Sequence, residues 1–359
     1  MPRASTGGVI AVGVVAGVVA AVAVVVGVDG PIRPAVRVSR GIGRARAGVP
    51  RAPGGRDVAA AAWTSAPRAA TVAAATEGPA MRDFAGRTVA ITGAASGIGR
   101  AAAAAFAVRG AHLALADIDA AGLARGADEL RAAGRRVLAR PLDVARAEDV
   151  ARFRDEAYGV FGRVDVLCNV AGIAINGLLE DMQLEDWRRI VDVDLWGVIH
   201  GCHFFYPAMI RQGGGGHIVN VASMAALGPL PASTAYGAVK SAVLGLSASL
   251  RLEAARHGIG VTVVCPGVVA TGMGRALRMV SGARGRSAEE TRDAIGRMMT
   301  RFGARPERVA EAIVRAVETD AGVVPVGPEA AALDLLHRGN RRVYDAVMTG
   351  VLRAILADR

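Results

Sequence analysis

The chain has 359 residues, is 52% hydrophobic but only 4% aromatic, and carries a formal net charge of +11. Its richness in Ala, Val and Gly points to an α/β protein with a sizeable core of small side chains. The charge argues against a nucleic-acid surface: residues 1–80 hold nine arginines and three acids, and the other 279 residues carry only +5 of mixed sign without interleaved aromatics.

Cys168, Cys202 and Cys265 lie far apart in apolar contexts and read as reduced core residues of a cytoplasmic protein, neither a disulfide framework nor a metal site. His200 and His203 form the close histidine pair, and without a convergent third ligand they read as helix-face residues.

Residues 7–28 are 22 residues without a charge, enough for a helix to span a hydrocarbon core of about 30 Å. Arg3 precedes this run and seven arginines from Arg33 to Arg56 follow it, so insertion would leave the body on the cytoplasmic face of a membrane. Residues 31–80 are rich in Ala, Arg, Pro and Gly without a sustained apolar period, which reads as a disordered linker. A competing expectation is that 1–80 is not native, because Met81 opens a short polar lead into an immediate first strand. The expected divisions are therefore 1–30, a hydrophobic segment or start-site artefact; 31–80, linker; 81–328, the main domain; and 329–359, a C-terminal helical extension.

The main domain opens with a strand, Thr88–Thr92, then Gly93-Ala-Ala-Ser96-Gly97-Ile98-Gly99 and an alanine-rich helix. A strand, a glycine-rich turn and a helix N terminus make a site for a pyrophosphate. A second strand, 112–116, ends at Asp117, an acid placed to accept bonds from adenine-ribose hydroxyls and repel a 2'-phosphate. Neither Ser96 nor Ile118 supplies a compensating cation, so NAD is expected rather than NADP. The alternation continues through helix 120–133, strand 136–140, Asp143-Val144, helix 147–161 and strand 164–170, which leads into Asn169-Val-Ala171-Gly172. Such alternation implies a Rossmann-type, doubly wound parallel sheet of about seven strands, with its ligand crevice at the carboxyl ends.

Residues 184–211 read as one long helix containing Asp194, which Gly213–Gly216 break. Strand 217–222 delivers Ser223, helix 234–257 carries Tyr236 and Lys240, and strand 260–265 delivers Pro266-Gly267-Val-Val269-Ala-Thr271. Lys240 is the one lysine among 43 basic residues. Four residues apart on a helix, Tyr236 and Lys240 share a face. A compact ammonium lowers a phenol's pKa by Coulomb attraction, which a wide guanidinium does less well. Residues 305–318 form a further helix, 322–326 a last strand, and 330–337 and 341–356 apolar-faced basic segments. These last read as a cap over the pocket or as a partner or membrane-surface helix.

From about Asp83 to Gly327 the chain resembles the short-chain dehydrogenase/reductase family. The matching motifs are Thr92-Gly-x-x-x-Gly97-x-Gly99, Asn169-x-Ala171-Gly172, Ser223, Tyr236-x-x-x-Lys240 and Pro266-Gly267 with Thr271. The resemblance implies that Tyr236 donates and accepts the proton, Ser223 polarises the substrate oxygen, and Lys240 binds the nicotinamide ribose and lowers the Tyr236 pKa. It also implies that Asp143 and Val144 border the adenine, that Val269 and Thr271 contact the carboxamide, and that the protein is a homodimer or homotetramer through its two long helices. Asp194 departs from the family, which usually has asparagine there supporting a water-linked proton relay. A charged Asp194 beside Lys240 would raise the lysine's pKa and alter the pH profile. Met224, Leu227, Leu230, Met273, Leu277 and Met279 suggest a hydrophobic alcohol or ketone, or a lid packing on itself. The expected activity is an NAD-dependent alcohol dehydrogenase or carbonyl reductase. The alternatives are a catalytically weak NAD-binding sensor or scaffold and a membrane-tethered structural protein.

Overall fold

Short apolar runs become strands; the central ones are buried on both faces, as a parallel sheet covered by helices requires, and those at the edges are partly exposed. In the computed structural model, which describes residues 81–283 and 285–357, these are β1 Thr88–Thr92, β2 His112–Asp117, β3 Val137–Pro141, β4 Val166–Asn169, β5 Ile175–Asn176, β6 Gly216–Val221, β7 Ile259–Pro266, β8 Arg278–Met279 and β9 Val323–Val326. All but β5 and β8 form a seven-stranded sheet in the order β3-β2-β1-β4-β6-β7-β9, every pair parallel. The fold is thus α/β and Rossmann-like. The strand order reverses between β1 and β4, whose last residues Thr92 and Asn169 lie side by side, and that reversal opens the crevice.

The helices are α1 Gly97–Val108, α2 Ala120–Ala132, α3 Ala147–Phe161, α4 Leu184–Val191, α5 Gly197–Gln212, α6 Met224–Leu227, α7 Thr234–Ala254, α8 Met273–Ala276, α9 Ala288–Phe302, α10 Pro306–Thr319, α11 Pro328–Gly339 and α12 Arg341–Leu356. On one face of the sheet Phe106 of α1, Leu123 of α2 and Ile313 of α10 pack over Val89, Ile91 and Leu113. On the other, Phe153 of α3, Phe205 of α5 and Val243 of α7 pack over Leu167, Ile218 and Val263. At about 25 cal/mol per Å2 of apolar surface, burying each phenylalanine contributes roughly 2–3 kcal/mol.

Two features differ from the expectations, and a third decides between alternatives they left open. The long helix of 184–211 is interrupted by a π-helical turn, Asp192–Trp196. The extra residue per turn lets Asp194 point into the core, where its Oδ1 accepts the Ile173 N–H at 2.7 Å. The segment after residue 272 contains α9 and β8, which pairs in a two-stranded parallel ribbon with β5. The N terminus of α9 is marked by a reciprocal capping box between Ser287 and Glu290. Finally, α11 and α12 fold back onto the core, with Val347, Val351 and Ile355 buried and the Tyr344 hydroxyl donating to the Pro229 carbonyl at 2.5 Å. They cap the loop that follows Ser223. Among the described residues no helix is long and apolar enough to cross a membrane. The apolar run 7–28 and the segment 31–80 lie outside the described residues.

A polar cluster is sealed under the β6–β7–β9 edge. The Thr262 hydroxyl donates to the Ala321 carbonyl at 2.5 Å and so accepts from His217 Nε2 at 2.8 Å, while Arg251 makes two 2.8 Å bonds to the Asp320 carboxylate. Burial lowers the His217 pKa to about 4, with Asp320 opposing and Arg251 assisting. The native state therefore keeps His217 neutral where the unfolded chain takes up a proton. Stability is fully present above the unfolded value near 6.5 and falls as pH drops towards 4, by up to about 3 kcal/mol. Urea titrations from pH 7 to pH 4 are expected to show a steeper loss for the wild type than for His217→Gln.

Candidate active site

The glycine turn is built by close backbone approach. Gly93 has φ +72°, and a Cβ there would lie 2.7 Å from the Ala171 nitrogen. A Cβ on Gly99 would lie 2.0 Å from the Gly93 carbonyl. Thr92 ties the turn to the loop after β4, its hydroxyl accepting the N–H groups of Val170 at 3.1 Å and Ala171 at 3.3 Å. The first residues of α1, Gly97 to Gly99, consequently face the cleft with Ser96. At the end of β2, Asp117 accepts the Ala95 N–H at 2.9 Å and the Asp119 N–H at 2.9 Å, which fixes its carboxylate against the turn beside the exposed Ile118. Asp143 accepts the Ala145 N–H at 3.0 Å, and His200 of α5 lies 2.9 Å from the Val144 carbonyl.

The chemical half of the cleft comes from β6 and α7. Ser223 follows the end of β6, its Oγ accepting the Ala225 N–H at 3.2 Å. Tyr236 and Lys240 project from the first turns of α7. The Lys240 ammonium lies 2.9 Å from Asp194 Oδ2, donates to the Val221 carbonyl at 3.3 Å and sits 5.7 Å from the centre of the Tyr236 ring. Lys240 and Asp194 side chains are 5% and 0% exposed, so the pair is a buried one.

Three titrations are coupled there. Burial, the largest single influence, works to strip the proton from Lys240, but the adjoining Asp194 carboxylate together with Tyr236 and Cys265 more than offsets it and the pKa moves up. Burial pushes the Asp194 carboxyl up, opposed by Lys240 and the Ile173 N–H. Tyr236 moves up as well: burial leads, Lys240 pulls the phenol down, Asp194 pushes it back up, and the Ser223 hydroxyl pulls it down. The expected effect of Lys240 on Tyr236 thus has the expected sign, yet the net direction is upward.

Every catalytic or cofactor-binding candidate named from the sequence lines one cleft of about 940 Å3 except Asn169 and Asp194. Asp194 stands behind Lys240. Asn169 is buried between strands, its amide donating to Asn220 at 2.8 Å, and it knits β4 to β6 instead of facing a ligand. At the apolar end Met224, Leu230, Met273 and Leu277 line the cleft, whereas Leu227 is buried in the main core and Met279 packs behind the lining. Ile295 and Met299 of α9 join them, residues whose helix only the Ser287-x-x-Glu290 pattern could have announced. Glu329 was also missed. Its carboxylate accepts the Val268 N–H at 2.9 Å and lies where a Cβ on Gly267 would be, 2.0 Å away, so it braces the Pro266–Thr271 loop from α11.

The family model for short chain dehydrogenases matches residues 87–280. A Mycobacterium tuberculosis protein named as an oxidoreductase, SadH, is 40% identical over 260 residues, covering 72% of this chain and 92% of that protein. The 1-deoxy-11-beta-hydroxypentalenate dehydrogenase of Streptomyces exfoliatus is 36% identical over 219 residues, 60% of this chain and 80% of its own length. Among solved structures, a short chain dehydrogenase/reductase from Burkholderia phymatum in complex with NAD superposes with a TM-score of 0.68 at 33% identity, covering 73% of this chain and 96% of that one. The chain belongs to the short-chain dehydrogenase/reductase family and is an oxidoreductase of that family.

Removing one partner of a buried ion pair strands the other charge, at a cost of about 3–5 kcal/mol. Lys240→Met is expected to destabilise by about 3 kcal/mol, and the double variant Lys240→Met/Asp194→Asn to recover most of that loss, a coupling that urea denaturation of the four proteins in the cycle measures.

Proposed function

We propose that the protein is an NAD-dependent oxidoreductase that moves a hydride between the nicotinamide and an apolar alcohol or ketone. The observation that carries this is the convergence of Ser223, Tyr236 and Lys240 on the cleft whose other half is the glycine turn with Asp117. That half fits a dinucleotide: Gly93 and Gly99 leave a cradle that side chains would fill, and the cleft lies at the upper end of the ~300–1,000 Å3 usual for small-molecule sites. When bound, NAD would supply the hydride acceptor or donor.

The start of α1 would hold the pyrophosphate, Asp117 the adenine-ribose hydroxyls, Asp143 and Val144 the adenine edge, and Val269 with Thr271 the carboxamide. The Asp117 carboxylate disfavours a 2'-phosphate, and Ile118 beside it offers no cation, which supports NAD over NADP. Ser223 orients the substrate oxygen. Tyr236 gives its proton to that oxygen in reduction and takes one in oxidation. Lys240, its charge favoured by Asp194, would hold the nicotinamide ribose, and it stabilises the phenolate. Met224, Leu230, Met273, Leu277 and Ile295 support an apolar substrate. The same reading carries a homodimer or homotetramer through α5 and α7, whose region exposes Trp196 and Leu252.

A panel of alcohols and ketones, followed by NADH absorbance, tests the proposal. Turnover is expected, with Tyr236→Phe lowering kcat roughly 10²–10⁴-fold. NADH binding without turnover of any panel member would instead support the sensor reading. Asp117→Ala is expected to narrow the preference for NAD by about tenfold or more in steady-state kinetics.

The pH dependence follows from the Lys240–Asp194 pair. Asp194 cancels part of the lysine's field and pushes the Tyr236 pKa up. Asp194→Asn leaves the ammonium unopposed, so the phenol ionises more readily. The rising limb of the pH-rate curve for alcohol oxidation is then expected to move to lower pH in this variant; superimposable curves would contradict the assigned role.

A further inference from the structure

Two polar side chains at the substrate end of the cleft are left without partners. Asn176 ends β5, and Ser233 immediately precedes α7, three residues ahead of Tyr236. Ser233 is 4% exposed, yet its hydroxyl does not cap α7 and makes no hydrogen bond among the described residues. The buried Oδ1 of Asn176 has no partner either. The Asn176 Oδ1 is the buried atom of the two, and a buried polar atom rarely stays unpaired, because it has given up its bonds to water, whereas the Ser233 hydroxyl opens onto the cleft. Both residues line the active-site cleft and also an adjoining annex of about 10 Å3, walled by Leu178, Ala283 and Ile355.

The backbone fixes both side chains in place. The Asn176 carbonyl accepts the Val280 N–H at 2.9 Å, the Gly177 N–H donates to the Ala232 carbonyl at 2.8 Å, and Gly177 bridges Ser233. Ala232 sets the approach to Ser233 from the left-handed region, at φ +54°. A residue with a Cβ takes that conformation at a cost, and such strain concentrates where a site needs a side chain aimed.

We infer that Asn176 and Ser233 form a subsite for a second, neutral oxygen of the substrate, which makes the substrate a diol or hydroxyketone on an apolar framework. This rests on the hydride-transfer reading proposed above. An amide and a hydroxyl together offer donors and acceptors, the complement of a substrate hydroxyl that both gives and takes a hydrogen bond. Neither group is charged, so they offer a carboxylate no counter-ion. Ser233 lies about one helical turn, ~5 Å, from Tyr236 along α7, which sets the second oxygen several bonds from the reacting carbon. A site that hydrogen-bonds a substrate hydroxyl rejects the analogue lacking it, because its own polar groups then stay unpaired.

Matched probes test this on the full chain with NAD: cyclohexanol against trans-1,4-cyclohexanediol, and 2-octanol against 2,5-octanediol. The wild type is expected to favour the diol of at least one pair by about tenfold or more in kcat/KM, and that ratio to fall towards unity in Ser233→Ala and Asn176→Leu. Ser233→Ala removes no capping bond, and thermal melts of both variants check that they fold. Equal efficiency on both members of each pair in the wild type, or variants that lower both members in proportion, overturns the subsite and leaves a structural water as its occupant. If no alcohol is oxidised, the hydride-transfer reading fails separately. Calorimetric titration of the same pairs then decides the subsite: tighter diol binding that the two substitutions abolish supports it, and equal binding overturns it.

Discussion

Lys240 and Asp194 meet at 2.9 Å with almost no access to water, and an ion pair so placed persists only where the surrounding structure satisfies both charges. Each requirement is met by a different part of the fold. The Ile173 N–H, from the loop after β4, takes one oxygen of the carboxylate. The Val221 carbonyl, at the end of β6, takes one proton of the ammonium. The π turn at Asp192–Trp196 swings Asp194 inward, and α7 presents Lys240 from the other side. Four parts of the fold therefore converge on a single pair of side chains. The phenol of Tyr236 lies within the field they create.

The cleft divides into halves built on different physics. The half next to β1 and β2 uses backbone amides, a helix terminus and one fixed carboxylate, and the sterics of glycine decide what fits. The half next to β6 and α7 uses side chains whose protonation is set by burial and by one another. Between the two runs the loop of Pro266–Thr271, which belongs to both. Apolar side chains from α8 and α9 close the far end, where Asn176 and Ser233 add neutral polar groups, and Glu185, Arg188, Arg189 and Asp192 add charge elsewhere in the lining.

Much of this was legible in the residues, because the signals are local. A strand followed by Gly93-x-x-x-Gly97-x-Gly99 and a helix is a short-range pattern, and β1 with α1 forms where it indicates. Tyr236 and Lys240 share a helix face by arithmetic alone. What was illegible depends on neighbours distant in the chain. Asn169 sits in a motif that borders the cleft, yet its partner is Asn220, 51 residues on, and only the strand order reveals that it faces the core. The π turn points Asp194 at the Ile173 amide, 21 residues away, and the helical periodicity carries no trace of that partner. Helix α9 was overlooked, although its capping box is a local signal. The sign of the net shift at Tyr236 could not be read either, since it depends on burial as well as on the charge of its neighbours.

Glu329 extends the site beyond the segment that carries the family motifs. Residues 87–280 contain the glycine turn, the serine, the tyrosine and the lysine, but the carboxylate that braces the Val268 amide comes from α11. The same C-terminal pair of helices holds the loop after Ser223 through Tyr344 and Pro229. The tail is therefore the outer frame of two walls of the cleft, and sequence changes far from any motif have a direct mechanical route to the reacting atoms.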